Sequence, residues 1–443
     1  MASGERKNTV NRKNNRLGTS ALTAGEDLLP SVPGLLVCVP IAAMTILDLL
    51  PIGMTEKQYT VFPALFLAVN VIAGVCGACF IIPRIRRRHL RVNSTMILFS
   101  AFAVLILIST VINGLTREAI HGIPYRHIGI FGMFLFLAVY CGVTSQISAE
   151  AMRERILFVF MATADFAGIT ALLDRYVIGI PAYHAKKELS AVFFNGNHYA
   201  YFLLMAVLTG LGLYMYCEGR KQYFGIGTMI LNAFLLMLNH SMGCILALLA
   251  VLAGLTVSVL VSDRGRRKRA GILCCAALAC LTAAVILSPD VRDEFISLGN
   301  DVSGLLKHTG DGSEGHNRLI LWSLTWEYIR EHPVFGTGCE AIAFRLFEVT
   351  GRSNPHNELL TYAAYYGIPA AICYTAGVIS VFVRYFRRRT EMTAAVKTAV
   401  LAAAGYFISS LFGVAMFYTT PLFFVLLGTA SCTDVNGHDE HAV

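Results

Sequence analysis

Residues 242–262 read MGCILALLAVLAGLTVSVLVS, without one charged side chain. A helix of about 20 such residues rises about 30 Å, the thickness of a bilayer's hydrocarbon core. Comparable apolar runs fall at approximately 34–52, 60–83, 95–114, 128–146, 155–173, 198–216, 224–240, 270–288, 358–384, 394–411 and 413–430. Composition agrees, with 56% hydrophobic and 14% charged residues and a mean hydropathy of +0.61. A soluble domain carries about 25% charged residues. The expected fold is an all-α polytopic membrane protein with about twelve transmembrane helices and one large, partly helical extracytoplasmic loop. The stretches 224–262 and 394–430 each contain a barely polar break, and no internal repeat supports an inverted-repeat transporter.

Basic residues set the expected orientation. Segments 1–33, 84–92, 147–155, 217–222, 263–269 and 384–391 together hold 23 of the 36 Lys and Arg, including Arg84–Arg88, Arg266–Arg269 and Arg387–Arg389. The positive-inside rule then places both termini in the cytosol. The chain divides into a disordered basic arm (1–33), nine helices (34–288), an outer loop (289–357), three helices (358–430) and a cytosolic tail (431–443). The net charge of +8 comes from these clusters, which suit anionic lipid headgroups. They are too short and dispersed for a nucleic-acid surface. Of twelve cysteines only Cys339 lies in a long outer segment, so no disulfide framework is expected there. Cys76 and Cys79 have a metal-ligand spacing, but they sit within a span and lack a second pair, which reads as packing.

The loop has helical patterning of its own. Phe295, Leu298, Val302, Leu305 and Leu306 recur as on an amphipathic surface helix. A second helix covers 317–331, with Trp322 and Trp326 one turn apart on one face, and Pro333 stops it. Gly336 and Gly338 mark a turn, 340–349 a short helix, and Gly351 its C-cap.

Several polar residues of the outer segments are site candidates. Arg318 opens the Trp-bearing helix, where it either meets an anion or serves as an interfacial anchor or salt-bridge partner. His356, between Pro355 and Asn357 and next to Glu358, stands where the chain re-enters the membrane. A neutral imidazole there can take a proton from a hydroxyl, although a lone outer histidine also suits the headgroup level. Arg117, His121, Arg126 and His127 crowd one outer loop. Lys186, Lys187 and the tract Asn195-Gly-Asn197-His198 occupy another. Interfacial solvation explains any one of them; together, converging cations point to an anionic ligand. Asp165, mid-span, requires a partner that the sequence does not name. There is no phosphate-binding Gly-rich loop with lysine, no zinc-protease motif and no outer aspartate pair for a metal, so neither cofactor nor metal is expected.

These residues resemble the O-antigen ligase and Wzy-type polysaccharide polymerase superfamily. The resemblance rests on Arg318-Leu-Ile-Leu-Trp322, His332-Pro-Val-Phe-Gly-Thr-Gly338, Pro355-His-Asn-Glu-Leu-Leu360 and Tyr366-Gly-Ile-Pro369, with Phe194–Ala200 and the His240-Ser-Met-Gly243 turn. It implies a metal-independent inverting glycosyltransferase of the bacterial cytoplasmic (inner) membrane. The donor would be a glycan on undecaprenyl pyrophosphate, and the acceptor a hydroxyl of a glycan or lipid-glycan on the outer face. By the resemblance, His356 is the base or acceptor-orienting group and Arg318 engages the pyrophosphate. Arg117, Arg126, Lys187, Asn197, His198, Asn357 and Glu358 are expected to line the substrate site. One departure stands out: relatives commonly carry arginine where this chain has Met242. The rival readings are a flippase for the same lipid-linked glycan and an inactive envelope scaffold. Ligase and polymerase are not separable from sequence.

Overall fold

A computed structural model describes residues 35–47, 61–86, 92–123, 126–146, 150–178, 189, 191–193, 195–287 and 314–431, with positions 289, 292, 293 and 296. The basic arm, the tail beyond 431, Lys186, Lys187 and the amphipathic helix expected from Phe295 to Leu306 lie outside the described residues. All regular structure within them is helical. In chain order the helices are α1 (Val39–Leu47), α2 (Phe62–Arg86), α3 (Ser94–Asn113), α4 (Arg117–His121), α5 (Ile130–Gln146), α6 (Glu150–Leu173), α7 (Gly196–Tyr216), α8 (Arg220–Asn239), α9 (Met242–Ser262) and α10 (Arg267–Leu287). They continue with α11 (Glu314–Glu331), α12 (Ala343–Thr350), α13 (Glu358–Tyr366), α14 (Ile368–Arg388), α15 (Ala394–Ser410) and α16 (Thr420–Ser431).

Among the described residues, six helices are long and apolar enough to cross a membrane: Ser94–Asn113, Glu150–Val177, Gly196–Tyr216, Arg220–Asn239, Met242–Val261 and Ile368–Arg388. Shorter apolar helices run over Ala64–Cys79, Ile130–Thr144, Ala394–Ser410 and Thr420–Ser431. Two expected spans are corrected. The run 358–384 is not one helix, because Gly367 at φ 92° ends α13 and Pro369 restarts the chain as α14. The run 413–430 is helical only from Thr420, and 411–419 is irregular. That irregular backbone is mostly buried in protein, the setting in which non-helical chain survives at membrane depth.

Side-chain caps set the helix starts. Asn93 Oδ1 accepts from the Met96 N–H at 2.8 Å, and Thr116, Asn195 and Thr393 cap α4, α7 and α15 in the same way. Helix α7 is the buried centre, packed on α8 and α15, while α3 packs on α14 and α2 on α5. Where α7 meets α8 there is no room for a side chain. A Cβ on Gly210 would stand 2.6 Å from the Gly225 carbonyl oxygen, so the two backbones touch.

Helix ends sort onto two opposite faces. On one, Arg126 reaches Ser353, Phe417 N–H donates to the Arg126 carbonyl, and Asn239 holds the carbonyls of Leu189 and Gly196. On the other, Lys221 bonds Glu154, Glu150 accepts from the Ala395 N–H, and Arg384 donates to the Ser431 carbonyl. Asp165 finds its partners midway: Thr228 Oγ1 at 2.6 Å and Asn232 Nδ2 at 2.8 Å, both on α8.

Candidate active site

The first face carries the loop tract 332–357, which is clamped to the bundle. Helix α11 ends at Glu331 before Pro333, and the chain then wraps the C-terminal end of α13. Thr337 and Gly338 N–H groups donate to the carbonyls of Ala364 and Tyr365, and the Ile368 N–H donates to Pro333. Ser109 and Asn113 at the end of α3 bond the Phe335 carbonyl. The end carbonyls of α13, which have no partner within their own helix, are thereby satisfied. Helix α12 ends at Gly351 in the left-handed region, as its sequence signal indicated.

His356 sits in the turn that follows. Its φ is 53°, a left-handed conformation rare for non-glycine residues. Asn354 Oδ1 holds the turn by accepting from the His356 N–H at 2.9 Å and from the Thr361 hydroxyl. Trp322 Nε1 donates to the Pro355 carbonyl at 3.0 Å and ties α11 to the same turn. The two tryptophans thus differ: Trp326 on the same helix is largely exposed. Burial, together with the nearby positive charges of Arg352, Arg318 and Arg126, lowers the His356 imidazole to about 4. The ring is neutral at physiological pH, and three arginines are close enough to act on its proton.

Arg126 is buried. One nitrogen lies 3.4 Å from Glu340 Oε2, and another bonds the Ser353 carbonyl at 3.3 Å and its hydroxyl at 2.6 Å. Tyr365 donates to the same Glu340 carboxylate at 3.0 Å. Burial raises the Glu340 carboxyl against the opposing pull of Arg126 and Tyr365. The Arg126 guanidinium is thus engaged with an acid and with the His356-bearing loop.

Arg318 on α11 lies over the Phe412 ring at 5.8 Å. Phe412 also abuts Gly243, so the His240–Gly243 turn, with His240 in the left-handed region at φ 61°, borders the arginine. His198, capped into α7 by Asn195, is buried within electrostatic reach of His356 and Arg126, and its Nδ1 has no hydrogen-bond partner among the described residues.

Other expected residues are placed differently. Asn357 is the N-cap of α13, its Oδ1 accepting from the Leu360 N–H at 3.0 Å. Glu358 turns into the bundle, where Tyr362 and Tyr374 hydroxyls donate to Oε1 at 2.6 and 3.2 Å. A carboxylate so engaged supports the bundle rather than a substrate. Asn197 is exposed at the start of α7, and Arg117 is exposed on α4, without described contacts to the cluster. Glu340, Ser353 and Asn354 enter as site residues that sequence reading passed over. Only Asn354, an Asx residue just before Pro355, carries a local turn signal. Among the described residues no group of three or more His, Cys, Asp or Glu converges as metal ligands would.

Residues 227–375 match the family model Wzy_C, described as O-Antigen ligase. The chain carries an O-antigen ligase domain. The matched segment contains Arg318, Glu340, Trp322, Asn354 and His356, while Arg126, His198 and Phe412 reach the O-antigen ligase domain's cluster from outside it. No curated protein matches the chain. An O-antigen ligase domain on helices of membrane-crossing length supports a glycan-transferring function of the ligase or polymerase type. It implies glycan and lipid-linked substrates and a bacterial inner membrane.

Proposed function

We propose that this protein transfers a glycan from an undecaprenyl pyrophosphate carrier to an acceptor hydroxyl at the outer face of the cytoplasmic membrane. It acts as an O-antigen ligase or surface polysaccharide polymerase. The termini are cytosolic, the chain crosses the membrane about twelve times, and the loop 289–357 lies outside.

The observation that carries this reading is His356, a neutral imidazole held by Asn354 and Trp322 in a left-handed turn with Arg318 nearby. The imidazole takes the acceptor's hydroxyl proton as that oxygen attacks the anomeric carbon. The bond from that carbon to the pyrophosphate oxygen breaks, and its electron pair leaves with the lipid pyrophosphate. A single displacement inverts the anomeric centre. Arg318 offsets the charge that grows on the departing group, so the step draws on no metal ion. Arg126 positions the loop through Ser353. Lys187, Asn197 and Arg117 are left as contacts to the sugar or the carrier. With Met242 in place of an arginine, the pyrophosphate depends the more on Arg318.

The test is purified protein with a synthetic polyprenyl-pyrophosphate glycan and acceptor, wild type against His356→Ala. Glycosidic product from the wild type and none from a normally folded variant is expected. Undiminished product from His356→Ala would remove the assignment, and lipid translocation without bond formation would favour a flippase.

A further inference from the structure

Four helix ends converge on the face opposite His356: the C-termini of α7 and α14, the N-terminus of α15, and the basic turn Arg264–Arg266 before α10. Tyr216 lies at their centre, its hydroxyl 3.3 Å from that of Tyr385. Two cations share its ring, Arg266 Cζ and Lys397 Nζ, each 5.5 Å from the centroid. Arg266 is oriented by its neighbours. Its Nε donates to the Met215 carbonyl at 2.9 Å, and Nη1 pairs with Asp263, while Nη2 meets no acceptor among the described residues. Lys397 is different. It is half-buried in the first turn of α15, and no carboxylate among the described residues lies within ion-pair distance of it. The nearest acid, Asp263, is taken up by Arg266, whose own charge repels the lysine. A partly desolvated cation pair with one acid between them is unbalanced by one positive charge.

We infer that Lys397, Arg266 and Tyr216 form a binding site for the phosphate of an anionic phospholipid headgroup. The phosphate oxygens would accept from Lys397 Nζ and Arg266 Nη2, and the acyl chains would lie along the apolar α14–α15 surface, where Ile379 and Val383 are exposed. This site is independent of the glycan-transfer reading, because it lies on the other face and involves none of those residues.

The experiment measures phosphatidylglycerol retained by detergent-purified full-length protein, by native mass spectrometry and by thermal shift, with phosphatidylcholine and inorganic phosphate as the other arms. Phosphatidylglycerol should be retained and should raise the melting temperature, whereas phosphatidylcholine and phosphate should not. Lys397→Met should weaken phosphatidylglycerol binding about fivefold, the worth of one basic residue at a membrane surface. Lys397→Arg should restore it, and Lys268→Met, on an exposed lysine nearby, should leave it unchanged. Equal retention by wild type and Lys397→Met, or equal losses from Lys397→Met and Lys268→Met, overturns the site. An equal shift with inorganic phosphate overturns the lipid as its ligand.

Discussion

The indole Nε1 of Trp322 donates to the carbonyl of Pro355 at 3.0 Å, one residue before His356. This bond couples the helix bearing Arg318 to the turn bearing the imidazole, so the spacing of the two groups does not depend on the loop alone. Trp322→Phe keeps most of the packing and deletes the donor. A hydrogen bond of about 1 kcal/mol translates to about fivefold in rate if it is needed in the transition state. Turnover of the lipid-linked donor should fall by that order with little change in melting temperature. Unaltered turnover would mean that the turn is held without it.

Arg126 and Glu340 pair in the interior, each side chain 2% exposed. Removing one partner strands a buried charge, which costs about 3–5 kcal/mol. Glu340→Ala should lower the unfolding midpoint in detergent strongly, and the double variant Arg126→Met, Glu340→Leu should recover much of the loss. If the single and double variants unfold alike, the pair does not bear the load assigned to it.

His356 gives the site face a pH dependence. His356 is lowered from 6.5 to about 4, so the unfolded chain binds its proton more readily between those values. Its contribution to stability is intact above about pH 6.5 and is lost as pH falls toward 4. Melting curves from pH 4 to 8 should show His356→Ala flattening the acid limb. Glycan transfer itself should persist well below pH 6.5, because the base remains unprotonated there. A rate that halves near 6.5 would show an unperturbed histidine.

Gly367 has φ 92°, and a Cβ there would stand 2.0 Å from the Val334 carbonyl oxygen. Gly367→Ala should therefore separate the 332–338 tract from the end of α13. A cost of about 1–3 kcal/mol is expected from the backbone alone, with the clash adding to it. Faster proteolysis between 332 and 338 is the readout, and wild-type resistance would contradict the clamp.

Much of this molecule was legible in its sequence. The apolar runs from 95 to 262 emerged as helices, and the signals at Pro333 and Gly351 marked real ends. His356 and Arg318 stood out as candidates from their place in the polar tract. The missed features share a cause. Hydropathy averages over a window and does not register where hydrogen bonding breaks, so Gly367-Ile-Pro369 passed as mid-span although each residue is a local breaker. The partner of Arg126, Glu340, went unread because it lies far along the chain and pairs only through the tertiary fold. Asn357 and Glu358 read as site groups because they adjoin His356, yet one caps a helix and the other faces tyrosines. Adjacency in sequence does not fix which way a side chain turns at a helix start.

The final helix, Thr420–Ser431, has 12 residues and is buried along its length. It rises about 18 Å, against about 30 Å of hydrocarbon, and Arg384 pins its far end through the Ser431 carbonyl. On the proposed topology, the irregular stretch that precedes it, with Phe412 beside Arg318, lies below the level of the surrounding headgroups. A pyrophosphate drawn to Arg318 would have to descend into that depression, leaving water behind while its isoprenoid tail stays in the lipid. On that reading, sideways entry from the bilayer, rather than delivery from solution, is the expected route for a lipid-linked donor.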